Sequence, residues 1–247
     1  MLDKKDFYDI LSTSYDAMIN FNEALERRKT IIEKFLDENT KSAADVGCGT
    51  GMDSISLALN NIKVTAFDIS PGMIEQAKKN ADEKDVAIEF HNYEAKKIPE
   101  HFFNNFDLVI SFGNTIANIE GEDIIDSFER IYNILKKDGK FIFQILNYQK
   151  IINEQERIVN VTGDDKYIYV RFYDIFPDKL NFNILKFDKN NYRDRYFSTT
   201  ELVPLTEDEV SRLLHQIGFK NYEFYGNLNL KEFDENKSSD LVCIAIK

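Results

Sequence analysis

The segment Asp45-Val46-Gly47-Cys48-Gly49-Thr50-Gly51 carries the strongest chemical signal in the chain. It joins the apolar run SAADV to a helical pattern that begins at Met52. Glycines at alternate positions let a backbone turn sharply and pass close to a ligand, and this spacing exceeds what a generic strand–helix turn needs. A dinucleotide loop favours G-x-G-x-x-G, with pyrophosphate on the helix N-terminus. Here the spacing is G-x-G-x-G, and Asp45 precedes it. A carboxylate beside the loop repels a phosphate and attracts a cation. Asp68 ends the next strand-like run, VTAFD. A carboxylate there can accept hydrogen bonds from both hydroxyls of a ribose, or it can cap the helix that follows.

S-adenosylmethionine has no phosphate and carries a positive sulfonium and a positive amino group. The loop with Asp45, Gly47, Cys48, Gly49 and Gly51 resembles that of the class I S-adenosylmethionine-dependent methyltransferases, and the likeness covers nearly the whole chain. The resemblance implies that the loop packs under the methionine part of the cofactor, with Asp45 supporting that end and Asp68 holding the ribose. Ile69, Met73 and Phe112 are expected in the same cofactor pocket. Met73 either contacts adenine or fills the core. Glu94 stands where the family has an Asp that accepts the adenine amino group, one methylene longer; a solvated surface Glu is the other reading.

The segment SFGNTIANI, Ser111 to Ile119, resembles the G-N-S-x-x-H loop of small-molecule N-methyltransferases, such as the glycine, sarcosine and aminosugar enzymes. Gly113 and Asn114 match, which implies a cofactor contact for Asn114. Asn118 stands where those relatives often have His, so no general base is assigned there. FYDILSTSYDAM resembles the family's opening helix, which folds over the cofactor and offers Tyr8 and Tyr15 to the positive sulfonium. Tyr15 and Asn118 are therefore the catalytic candidates, as groups that orient the acceptor. The acceptor itself is expected against Tyr169 and Arg171, which share a face with Tyr173 by strand alternation. An Arg there can clamp a carboxylate or phosphate; exposure on a solvated strand face is the bland alternative.

These residues need a scaffold that brings them to one edge. Phe21, Leu25, Ile32 and Leu36 recur at helical spacing, so the first 38 residues read as two helices. From SAADV to KFIFQIL, short β-rich runs alternate with helical patterns. That order implies right-handed βαβ units and an α/β fold with a doubly wound, mostly parallel, seven-stranded Rossmann-like sheet. Ser70-Pro71 opens one helix, and Asp138-Gly139 is expected to close another. Thr206 and Glu209 form a capping box in a helix that Gly218 closes. Residues 155–203 change period and read as an inserted antiparallel lid with turns at Pro177-Asp178 and Lys189-Asn190, leaving 1–154 and 204–247 as the cofactor domain. NLNLKEFDENKSS, between the last two strands, is expected to be a mobile loop.

The formal net charge is -12 and the sequence pI about 4.8. Such a surface repels nucleic-acid backbones. The Asn/Asp-Pro-Pro-aromatic motif of nucleic-acid amino-methylating enzymes is also absent from Ser111-Phe112-Gly113-Asn114. The chain has 2 Cys and 3 His, too few and too scattered for a disulfide framework or a metal cluster. No signal-type or membrane-spanning run is present, so a cytoplasmic location is expected. The reading is an S-adenosylmethionine-dependent methyltransferase acting on a small molecule, with an amine nitrogen as the first choice of acceptor. O-methylation and non-catalytic cofactor binding are the alternatives; the glycine spacing speaks against a nicotinamide oxidoreductase. A homodimer through the lid's aromatic face is the competing use of the insertion.

Overall fold

Short apolar strands flanked by turn signals build the centre of the molecule. The computed structural model describes residues 3–176 and 179–247; the turn expected at Pro177-Asp178 lies outside the described residues. β1 (Ser42–Val46), β2 (Lys63–Asp68), β3 (Ile88–Asn92), β4 (Phe106–Ser111) and β5 (Leu135–Leu146) pair in parallel, with β1 at the middle. β10 (Asn221–Tyr225) and β11 (Asp240–Ile246) complete the sheet; β11 runs antiparallel to both β5 and β10. The order is β10-β11-β5-β4-β1-β2-β3, a doubly wound Rossmann-like sheet of seven strands. β1 and β4 neighbour each other although β2 and β3 separate them in sequence, which places the strand-order reversal beside the glycine loop.

α3 (Met52–Leu59), α4 (Pro71–Glu83) and α5 (Ile124–Ile134) cross over between the parallel strands. Ser70 caps α4 through its hydroxyl, which accepts from Met73 N, with Pro71 at the first turn. α7 (Glu207–Ile217) carries the capping box of Thr206 and Glu209 and ends at Gly218. The main core lies between α5, α7 and the sheet. There the Phe128 ring meets Phe141 and Phe143 edge-on at 5.5 and 5.7 Å.

Two expectations about boundaries are corrected. α5 ends at Ile134, before Asp138-Gly139, and Leu135 already pairs with Phe106. Asp138 takes a left-handed φ of 62° inside β5, where the register shifts against β4. The Asp-Gly signal thus marks a bulge rather than a helix end. The link after β10 is tied down rather than free. Gly226 N donates to Lys231 O at 2.8 Å, and Asn147 Nδ2 donates to the carbonyls of Glu235 and Ser238.

β6 (Ile158–Gly163), β7 (Tyr167–Ile175), β8 (Leu180–Asp188) and β9 (Arg195–Leu202) form a second, antiparallel sheet in sequence order, following the short helix α6 (Tyr148–Glu154). Its inner face joins the main core through Tyr173, Leu180 and Leu202, and covers the first helix, α1 (Lys4–Ile19), through Tyr169 and Ile184. α1 is thus held between the two sheets. α2 (Phe21–Glu33) follows it after Asn20, which turns the chain with φ 54°.

Carboxylates fix α1 in place. Asp9 Oδ1 accepts from Ser70 Oγ at 2.9 Å and from Gly72 N at 2.6 Å, at the N-terminus of α4. Asp16 Oδ2 accepts from Gln76 and Asn80, about one and two turns further along α4. Asp9 also meets the positive end of the α4 dipole. Asp9→Ala is expected to lower stability by about 1–2 kcal/mol, the usual cost of losing a helix-capping carboxylate. Urea denaturation checks the loss, and limited proteolysis is expected to cut first within residues 4–19.

Candidate active site

The carboxyl ends of β1, β2 and β4 and the covering α1 enclose a cavity of about 420 Å³. The glycine loop forms its floor. Gly47 N and Cys48 N both donate to Phe67 O, at 2.7 and 3.0 Å, which folds the loop against β2. Gly47 has φ 79°, and a Cβ there would overlap the Thr115 side chain. Gly49 has φ 53°, and a Cβ there would project into open space with no atom within 4 Å. The first position is closed by packing; the second is open to a ligand.

Three carboxylates surround this loop. Asp68 accepts from Gly49 N at 2.8 Å and from Ser70 N at 2.9 Å, so it ties the loop to the head of α4 while lining the cavity. Asp53, in the first turn of α3, lines the cavity too, with Oδ1 3.1 Å from Arg28 Nε. Arg28 comes from α2 and lies over the Phe112 ring, 5.4 Å from its centroid. Asp45 is 1% exposed and accepts from Ser54 Oγ at 2.6 Å. Burial pushes the carboxyl pKa of all three upward; for Asp45 the repulsion of Asp53 adds to it. Opposing this are Ser54 at Asp45, Arg28 at Asp53, and the N–H groups of Ser70, Gly49 and Ile69 at Asp68. Buried acid with one guanidinium behind it is a wall that favours a cation.

Tyr8, Tyr15, Cys48, Ile69, Met73 and Glu94 line the cavity, as do Phe112 and Asn118. Met73 is 1% exposed and also packs in α4, so its two readings coincide. Glu94 shares its carboxylate with Lys97 Nζ at 2.6 Å. Burial raises the pKa of the Tyr8 and Tyr15 hydroxyls, which are neutral donors at physiological pH. Asn118 Nδ2 donates to Asn114 O at 3.1 Å, but its Oδ1 is buried with no hydrogen-bond partner.

Other candidates lie outside the lining of this cavity. Asp45 lies one layer beneath the cavity, holding the loop to α3. Gly51 is the residue before α3 and packs on Ala77 instead of lining the cavity. Asn114 turns away: both ends of its amide meet the Tyr148 hydroxyl, at 2.6 and 2.9 Å, and its Oδ1 also accepts from Leu146 N. Its left-handed φ of 71° directs it toward β5. Among its described residues the lid lines no part of this cavity, because α1 lies between them. Tyr169 packs on Phe7 and Met18 and donates its hydroxyl to Asp164 at 2.9 Å. Arg171 stands behind Tyr15, where its charge counters the burial of that hydroxyl, and its Nε donates to Asn160 Oδ1 at 2.6 Å. Asp53, Lys5, Tyr93 and Ile119 also line the cavity and went unrecognised in the sequence. Only Asp53 left a signal, an acidic residue in the first turn after the glycine loop.

Residues 43–139 match the model of a methyltransferase domain. The glycine/sarcosine N-methyltransferase of Aphanothece halophytica is 28% identical over 226 residues, which cover 86% of this chain and 79% of that one. A crystal structure of an S-adenosylmethionine-dependent methyltransferase from Clostridium acetobutylicum superposes with a TM-score of 0.80 at 19% identity, covering 97% and 98% of the two chains. The chain carries a methyltransferase domain and is similar over nearly its whole length to S-adenosylmethionine-dependent methyltransferases. An amino pentose methyltransferase from Micromonospora echinaspora, solved with S-adenosylmethionine bound, superposes at 0.65 with 13% identity, covering 93% and 90%. The cofactor of this methyltransferase is S-adenosylmethionine, and the cavity fits it. The acid wall suits its positive charge, Gly49 leaves room at the loop, and Ile69, Met73 and Ile119 offer apolar surface.

Gly47→Ala is expected to abolish cofactor binding in calorimetry, since the new methyl group requires Thr115 and the loop to move and the backbone is left-handed. The pH dependence follows from Asp45. An unfolded Asp has a pKa of about 3.9. Folded Asp45 keeps its proton above that pH, so its own contribution to stability falls as pH rises from about 4 toward neutrality. Without cofactor, Asp45→Asn is expected to flatten this slope in urea titrations at a series of pH values. An unchanged slope would place an ionised Asp45 in the fold.

Proposed function

We propose that this methyltransferase transfers the methyl group of S-adenosylmethionine to the amine nitrogen of a small molecule. The observation that carries the reading is the buried, unpartnered Oδ1 of Asn118 in the cavity wall beside neutral Tyr8 and Tyr15. A buried acceptor without a donor costs about 1–3 kcal/mol. An amine N–H placed against it removes that cost and points the nitrogen lone pair the other way. When bound, S-adenosylmethionine supplies a methyl group activated by its sulfonium for in-line displacement.

The roles of the other residues follow from their chemistry. The loop at Gly47, Cys48 and Gly49 cradles the methionine part, with Asp45 and Asp53 compensating its positive charge. Asp68 has lone pairs left after its two backbone bonds and accepts from the ribose hydroxyls. Ile69, Met73 and Glu94 take the adenine, and Phe112 with Arg28 behind it closes the far wall. The lid, residues 155–203, backs α1 and helps exclude water. Alignment in a dry site is then the chain's main contribution.

Nitrogen is favoured over oxygen because an uncharged amine already offers a lone pair. A hydroxyl acceptor has to lose its proton first, and no histidine lines the cavity among the described residues. The positive charge of Arg171 behind Tyr15 suits an acceptor that also carries a carboxylate. The names of two relatives, a glycine/sarcosine N-methyltransferase and an amino pentose methyltransferase, support a small amine.

The test is transfer of labelled methyl from S-adenosylmethionine to a panel of amino acids, amino sugars, phenols, protein and RNA, with products identified by mass spectrometry. N-methylated small amines are expected. Asn118→Leu is expected to lower kcat about tenfold, the worth of one hydrogen bond, with little change in the affinity for the demethylated cofactor. Arg171→Met is expected to raise KM for carboxylate-bearing amines more than for neutral ones. Products methylated only on oxygen, protein or RNA would overturn the reading.

A further inference from the structure

α1 has a second working face. Tyr8 and Tyr15 look into the cofactor cavity, while Phe7, Leu11 and Ser14 line a separate cavity of about 260 Å³ between α1 and the antiparallel sheet. The two cavities share no lining residue. The walls of the second are apolar and aromatic, from Phe7 and Leu11 on one side to Tyr167, Tyr169 and Ile184 on the other.

One cation stands among these walls. Lys186 Nζ donates to Ser14 Oγ at 2.8 Å and lies 4.1 Å from the centre of the Tyr167 ring and 5.7 Å from that of Tyr169. The nearby carboxylate of Asp164 feels the charge of Lys186 but spends its hydrogen bonds elsewhere. It accepts from the N–H groups of Lys166 and Tyr167 and from the Tyr169 hydroxyl, whose pKa burial and the Asp164 carboxylate push up to about 12. Across the cavity Ser198 is 6% exposed, and its Oγ is buried with no hydrogen-bond partner. A lysine with donors to spare, two hydroxyls and an unpaired buried oxygen make a polar end to an otherwise apolar hole. Such a combination is costly when nothing joins the groups.

We propose that this cavity is a binding site for a small monocarboxylate with an aromatic or aliphatic body, which braces α1 against the antiparallel sheet. The carboxylate meets Lys186, Ser14 and Ser198; the body lies against Tyr167, Leu11 and Ile184. The volume, below the roughly 300–1,000 Å³ of drug-sized sites, limits the ligand to about the size of benzoate. Asp194 at the rim disfavours dianions such as phosphate. Bound there, the ligand holds from behind the helix that carries Tyr8 and Tyr15.

Calorimetric titration of the full chain with benzoate, with the demethylated cofactor saturating the first cavity, tests the site. Saturable binding with a Kd of about 1 mM or tighter is expected. Benzamide, which has the same shape without the charge, is expected to bind at least about tenfold more weakly to the same unmodified protein. Lys186→Met is expected to weaken benzoate by a similar factor, and Ser198→Ala to weaken it while raising the ligand-free Tm. Arg171→Met is expected to leave benzoate affinity unchanged. No saturation by about 20 mM, equal binding of benzamide, an unaffected Lys186→Met, or a loss with Arg171→Met instead would each overturn the proposal.

Discussion

The burial of Asp45, Asp53 and Asp68 around one glycine loop, with Arg28 as the guanidinium behind them, is the constraint on which the site depends. Each carboxylate serves a structural bond: Asp45 to α3, Asp53 toward α2, Asp68 across to the loop and the head of α4. Together they leave more buried acid than the fold compensates. A phosphate ligand would deepen that imbalance, and a sulfonium or ammonium relieves it. The loop geometry of this Rossmann-like fold is shared with nucleotide sites; the electrostatics select a different ligand.

α1 lies over that cradle and turns it into a partly covered chamber. Its polar contacts to α4 set its position, and its tyrosines reach the chamber uncharged because burial raises their pKa. Arg171 sits one layer back and acts on the chamber through its field. The arrangement suits a reaction in which the protein aligns two reactants and moves no proton of its own. The lid contributes by packing on α1, a less direct part than its aromatic face suggests in sequence.

What could be read from the sequence was what is local along the chain. The glycine loop, Asp68 at a strand end, the caps at Ser70 and Thr206, and the alternation of strands and helices each express themselves within a few residues. They led to the sheet, the cofactor and a set of residues that share one cavity. What stayed hidden depends on distant neighbours. Asn114 has the right residue type for a cofactor contact but is taken by Tyr148, 34 positions away. Tyr169 shares a face with Arg171, yet two residues along a strand are about 7 Å, enough to set it behind a different part of α1. The unpaired oxygen of Asn118 is a property of the assembled site, and Asp138-Gly139 looked like a helix end because a bulge uses the same left-handed residue.

The spacing of these contacts along the chain has a kinetic consequence. The tie between Gly49 and Asp68 closes a loop of 19 residues, whereas the bonds that seat α1 on the antiparallel sheet span 144 residues at Met18–Thr162 and 172 at Ser14–Lys186. Closing a longer loop costs more chain entropy before any contact is gained. The cofactor cradle can therefore order as an early, nearly self-contained unit; its roof can dock on α4 over spans of 60 to 64 residues, and the antiparallel sheet backs that roof last. On a ribosome the roof can settle on α4 well before residues 158–202 are synthesised, so the outer face of the first helix spends much of translation uncovered.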